Sequence, residues 1–163
     1  MIAKIADARL LWLWFAITCA LSVGFAVISQ VYGFRLLDGM ADPGKVLAYV
    51  GTLTNEQKFV HTLTTATLDV LYPVTYAALF AGLTARYYNA GLPYLFIPAA
   101  LVVPVDLIEG VIQIIILNGG IGLIGWKFWF TLFKFILFFI AFAIAIVGLG
   151  QAIFTSVLAR IRK

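Results

Sequence analysis

A single cysteine, Cys19, and a single histidine, His61, stand in a chain of 163 residues. One thiol cannot close an intramolecular disulfide, and one imidazole with one thiol cannot complete a tetrahedral zinc site or a bis-histidine haem within the chain. Charge is scarce as well. Only 11% of the residues are Asp, Glu, Lys or Arg, against 64% hydrophobic, and the mean hydropathy is +1.08. A water-soluble domain cannot cover that much apolar surface with so few charges. Internal repeats, phosphate-cradling glycine loops, nucleophile triads and paired-metal spacings are also missing, so no cofactor and no metal is expected. Whether the chain is an enzyme stays open at this level. The net charge of +4 and the pI near 9.3 do not point to nucleic acid, because the basic residues are scattered between apolar runs and gathered at the chain ends. Anionic lipid headgroups are the counter-charge that such a distribution fits.

The sequence is instead rich in long apolar runs, at about residues 10–31, 63–88, 92–117 and 126–152. At about 1.5 Å per residue, each helix is long enough to cross a hydrocarbon core of about 30 Å. The runs lack the polar alternation of a membrane barrel. The expected fold class is therefore all-α, a four-helix transmembrane bundle forming one domain over residues 1–163. The first run ends in Ser29-Gln30-Val31 without a small-x-small cleavage site, so it is expected to remain in the mature protein.

Four spans place both termini on one side. That side carries Lys4, Arg9, Arg86, Arg160, Arg162 and Lys163, and the other carries Arg35, Lys45, Lys58 and Lys127. The excess predicts cytoplasmic termini. Trp12, Trp14, Trp126 and Trp129 fall near the predicted boundaries, as interfacial aromatic residues do. In the one long connection, residues 32–62, Asp42-Pro43 reads as an N-cap and first-turn proline. A short interfacial helix over about residues 44–50 is expected to lie on the outer surface. Thr54 and Gln57 have capping-box spacing, and residues 118–125 form a glycine-rich hairpin. On the first span Ala16, Ala20 and Gly24 make a small-residue seam for close helix approach, and Cys19 reads as a buried packing residue.

Four ionisable residues fall inside the spans: Asp69, Asp106, Glu109 and Lys134. Each costs at least about 2.5 to 3.5 kcal/mol to insert, so each needs a partner or a task. Counted from the outer helix ends, all four lie roughly 9 to 17 Å deep, in one layer. Helical phase groups them further. His61, Thr65, Asp69, Tyr72 and Tyr76 share one face of the second span, Asp106, Glu109 and Gln113 one face of the third, and Lys127, Thr131 and Lys134 one face of the fourth. Pro73 and Pro104 each free a backbone carbonyl beside this layer. Lys134 is expected to be the close cation for the acids while Lys127 reaches the interface, and His61 is read as a solvated or hydrogen-bonded residue rather than a ligand. The candidate binding set is thus Asp69, Tyr72, Tyr76, Asp106, Glu109, Gln113 and Lys134. Three acids against one lysine leave two negative charges, which a low-dielectric site compensates by binding a cation or taking up protons.

The string from Thr67 through Asp69, Tyr72 and Pro73 to Tyr76, then Leu92-Pro93, Asp106-Leu-Ile-Glu109 and Thr131-Leu-Phe-Lys134, resembles a group of uncharacterised bacterial four-helix integral membrane proteins. In that group the acidic pair of the third helix is usually followed by Asn, where this chain has Gly110. The resemblance covers about residues 54–140 and implies no activity. It supports Asp69, Tyr72, Asp106, Glu109 and Lys134 as a set.

The leading functional expectation is an intramembrane site that binds a small ligand, a proton or a cation, with transport as one use. A non-catalytic subunit of a larger membrane complex, pinned by the charged layer, is the alternative. A lipid-modifying enzyme using a carboxyl as general acid is the third. The expected partners are membrane lipids and a homo-oligomer or larger membrane complex.

Overall fold

The computed structural model describes residues 6–88 and 92–161, in which no strand occurs. Lys4, Arg162 and Lys163 of the basic-residue count lie outside the described residues. Five helices follow one another: α1 (Ala8–Tyr32), α2 (Pro43–Thr52), α3 (Asn55–Tyr87), α4 (Ile97–Leu117) and α5 (Ile124–Ile161), with 3₁₀ turns at Leu37–Gly39, Pro93–Phe96 and Ile121–Leu123. All but α2 are long and apolar enough to cross a membrane.

Local chemistry sets the helix starts. Asp7 caps α1 by accepting from the Arg9 amide, and Asp42 caps α2 by accepting from the Lys45 amide at 2.8 Å, with Pro43 in the first turn. The Thr54 hydroxyl accepts from the Gln57 amide while the Gln57 side chain accepts from the Thr54 amide. These two bonds satisfy two donors that a helix start otherwise leaves free. They begin α3 eight residues ahead of the apolar run at 63. At the other end of the chain α5 continues to Ile161, nine residues past its predicted limit. Pro73 and Pro104 lie within continuous helix.

Helix α3 packs against α1, α4 and α5, and α4 packs against α5. Helix α1 is peripheral, with only Leu11 and Phe25 buried. Its approach to α3 runs through Thr18, whose hydroxyl donates to Thr75 Oγ1 at 3.1 Å, and Ser22, whose hydroxyl lies 3.2 Å from Tyr72. The expected seam is therefore displaced. Ala16 and Ala20 face outward, while Gly24 alone approaches Leu68. Cys19, expected to be buried, is exposed on the same outer face.

The described residues hold two apolar clusters. One joins Phe34 and Leu37 of the first connection to Val46 and Val50 of α2 and Ile112 and Ile116 of α4. The other joins Tyr76 and Phe80 of α3 to Val102 of α4 and Leu137 and Ala141 of α5. The connection after α1 starts at Gly33, whose left-handed backbone (φ 66) suits glycine, and then turns inward.

Near the far end of α3, Gly148 of α5 lies so close to the chain that an added Cβ would stand 2.6 Å from the Tyr88 ring and 3.0 Å from Tyr87 Cβ. The Tyr88 hydroxyl donates to the Ile144 carbonyl at 3.0 Å across this contact. Gly148→Val is expected to push the ring away and break that bond. A thermal midpoint in detergent unchanged from the parent would contradict this close approach.

Candidate functional site

Between the two apolar clusters lies a layer of polar and charged side chains supplied by α3, α4, α5 and the first connection. Its centre is Glu109, fully buried on α4. Glu109 Oε1 accepts from Lys127 Nζ at 3.0 Å and from the Thr131 hydroxyl at 2.5 Å, while Oε2 faces the Lys134 ammonium. The spacing of Lys127, Thr131 and Lys134 by four and three places all three on one face of α5 toward Glu109.

Lys127 does not reach the interface as expected. Its side chain is 1% exposed, and its ammonium lies 2.9 Å from both the Leu37 and Met40 carbonyls and 3.1 Å from Thr131 Oγ1. The reason is the inward turn of the first connection, whose carbonyls would otherwise be buried without donors. His61 serves the same segment. It is fully buried, and its Nε2 accepts from the Leu37 amide at 3.1 Å, which puts the ring proton on Nδ1, 3.3 Å from Thr65 Oγ1. The ring is neutral in this arrangement and binds backbone, so it is hydrogen-bonded rather than solvated.

Anchored in this way, the turn Leu37–Gly39 delivers a carboxylate that sequence reasoning missed. Asp38 Oδ1 lies 2.9 Å from Lys134 Nζ and accepts from Gln113 Nε2 at 3.0 Å. Burial alone would raise the Asp38 pKa, but the adjacent Lys134 ammonium and the hydrogen bonds from Lys134 and Gln113 outweigh it and hold the carboxyl below its ordinary value. Lys134 is shared further with Asp106, whose Oδ1 is 3.1 Å away and whose Oδ2 accepts from the Tyr76 hydroxyl at 2.7 Å.

Asp69 stands apart. It is only 7% exposed, yet its carboxylate has no hydrogen bond or ion pair to any described residue. Its own backbone carbonyl also lacks the usual helical donor, because Pro73 four residues on has no N–H. Carboxylate oxygens of Asp38, Asp69 and Asp106 all lie within 4.8 Å of one another. They border a cavity of about 310 Å³ whose other walls include Tyr72, Tyr76, Lys134 and Phe138.

Of the residues expected to form a site, Asp69, Tyr72, Tyr76, Asp106 and Lys134 border this cavity together. Glu109 and Gln113 lie outside the cavity wall and connect to it through Lys134 and Asp38. The expected balance of three acids to one lysine becomes four acids, Asp38, Asp69, Asp106 and Glu109, to two lysines, Lys127 and Lys134. The excess of two negative charges is unchanged. The three aspartates are close enough to share one cation, but the Lys134 ammonium already stands between Asp38 and Asp106. No protein-family model, curated protein or solved structure matches the chain.

Two measurements follow from this geometry. Lys127→Met removes the only ammonium among the described residues that touches both Glu109 and the Leu37 and Met40 carbonyls, and breaking a buried pair of this kind costs about 3 to 5 kcal/mol. Its loss of thermal stability in detergent is expected to match or exceed that of Lys134→Met, and a midpoint equal to the parent's would contradict the buried position. For Asp38, the folded carboxyl titrates below its ordinary value, so its ion pair stabilises the turn above the ordinary carboxyl range and is lost as pH falls through the lower folded value. Amide protection factors around Leu37 should fall in the parent only once the pH drops below the ordinary carboxyl range. Asp38→Asn should show no such step.

Proposed function

We propose that the chain is an integral membrane protein of four spans whose polar layer forms a binding site for a cationic group or a proton. The single observation that carries this reading is Asp69: a nearly buried carboxylate, bordering a cavity, with no partner among the described residues. Solvating an unpaired carboxylate in apolar surroundings is so costly that the group is neutralised by whatever cation or proton can reach it. The excess of two acids over lysines in the layer supports the same reading, and so do Tyr72 and Tyr76, which put aromatic rings and hydroxyls beside the carboxylate. A bare divalent ion fits less well, because it would face the Lys134 ammonium inside the same cluster.

Membrane residence is supported by four helices of sufficient length and apolarity and by the abundance of exposed large apolar side chains on their outer faces. The lysine and arginine asymmetry supports cytoplasmic termini, with the site in the outer half and α2 at the outer surface, and the resemblance to bacterial membrane proteins favours a bacterial inner membrane. Lipids are then the direct partners. Transport is one use of such a site, and association with further copies or a larger complex is compatible with it.

Asp69→Asn keeps the shape and removes the charge. In lipid nanodiscs at neutral pH the parent is expected to bind methylammonium or to show one protonated-carboxyl infrared band per chain, and the variant to lose that signal while remaining folded. Identical carboxyl bands and identical methylammonium isotherms for the two proteins would reduce the layer to a structural pin.

A further inference from the structure

The acidic cavity, here the upper one, has a second cavity below it on the same helices. This second cavity, of about 430 Å³, lies toward the other end of the same three helices, walled by Leu11 and Phe15 of α1, Phe80 and Leu83 of α3, and Phe142 and Ile146 of α5. Both cavities occupy the gap left because α1 packs on α3 and has little contact with α5. A single aromatic layer lies between them. The Tyr76 ring is 5.1 Å from Phe138, Phe138 is 5.4 Å from Phe80, and Phe80 is 5.8 Å from Phe142. Tyr76 and Phe138 border the upper cavity, and Phe80 and Phe142 the lower one. The two cavities taken together are therefore acidic at one end and mostly apolar at the other, and a tail that runs from the first to the second passes the Phe138 and Phe80 rings. From Asp69 to Leu83 this path follows α3 for about 21 Å, somewhat more than half of the hydrocarbon thickness.

On the reading that Asp69 takes a cationic group, these dimensions specify what carries the charge. We infer that the ligand is an amphipathic organic amine, with its ammonium at Asp69 beside Tyr72 and Tyr76 and its apolar tail along the cleft between α1 and α5. The upper cavity alone is roughly ten times the about 30 Å³ of one water molecule, far more than a bare ion fills. A neutral lipid would leave Asp69 uncompensated, and an anionic headgroup would be repelled by Asp38, Asp69 and Asp106. Aromatic rings at the charged end suit an ammonium, and aromatic and aliphatic side chains beyond them suit hydrocarbon. The far end borders Arg86, whose guanidinium disfavours a second ammonium there, so the tail terminates without positive charge. Exposed Phe15 and Ile146 flank the cleft, so a tail can enter sideways from surrounding lipid without passing through the polar layer.

The test uses the full chain in non-ionic detergent with dodecylamine, dodecanol and methylamine as probes at neutral pH. Affinities are read by native mass spectrometry and by ligand-induced shifts of the thermal midpoint. Dodecylamine is expected to bind at least about tenfold more tightly than either dodecanol or methylamine. Asp69→Asn should abolish the preference for dodecylamine over dodecanol. Ile146→Trp, which adds bulk at an exposed position of the apolar end, should weaken dodecylamine about tenfold and leave methylamine within about twofold. If methylamine equals dodecylamine, or if Ile146→Trp changes neither, the tail-binding inference fails while the cation site stands. If the parent does not distinguish dodecylamine from dodecanol, the amine assignment fails with no variant needed. If Asp69→Asn changes none of the probes, both the inference and the proposed site fall.

Discussion

The ammonium of Lys127 holds the architecture together. Among the described residues it is the one group that touches α4 through Glu109, α5 through Thr131, and the first connection through two backbone carbonyls. A buried lysine is costly, and ion pairs buried for stability alone are often no better than hydrocarbon. What this one supplies is position. Without it, the carbonyls of Leu37 and Met40 would face an apolar interior unpaired, a cost that opposes the entry of the segment. Once the segment enters, Leu37 and Phe34 complete the apolar cluster with α2 and α4, and Asp38 reaches Lys134. The stability of the connection and the composition of the site are thus the same interaction seen from two sides.

The apolar clusters above and below the layer determine its electrostatics. With Phe34, Leu37 and Ile116 on one side and Phe80, Val102 and Leu137 on the other, water has little access from either end. In that setting an ammonium shared among three carboxylates is strongly favoured, and Lys134 is used to the full by Asp38, Asp106 and Glu109. No capacity remains for the fourth carboxylate. The cavity beside Asp69 is the consequence: the one acid that the two lysines leave over is also the one that borders open space.

The helices and much of the site were legible from periodicity and capping chemistry. Runs of apolar residues located the four long helices, Asp42-Pro43 and the Thr54–Gln57 pair located two starts, and phase on three helices put Asp69, Asp106 and Lys134 on facing stripes. Asp38 was not legible, because a residue in a connection has no helical phase. The only hint was its apolar setting among Leu36, Leu37 and Met40, which marks a loop that tucks inward. Lys127 was placed on the right stripe but given the wrong fate. Snorkelling assumes that water is the nearest oxygen source, and here backbone carbonyls were nearer. The first helix misled for a related reason: Ala16, Ala20 and Cys19 are small enough for an interface, but hydroxyl pairs at Thr18 and Ser22 fixed the rotation of α1 and turned those residues outward.

The same reasoning explains why Asp69 stays unpaired rather than finding a neutral donor. Across the α3–α4 contact it faces Gly110, where an added Cβ would lie 3.8 Å from Asp69 Oδ2 and 3.4 Å from Thr65 Cγ2. A Cβ there meets only ordinary van der Waals contacts, so a methyl group is not excluded by close packing. An asparagine at this position would carry an amide able to donate to a carboxylate. Glycine leaves Asp69 with neither an ammonium nor an amide. The carboxylate's remaining direction is the cavity, where only a group from outside the chain can compensate it.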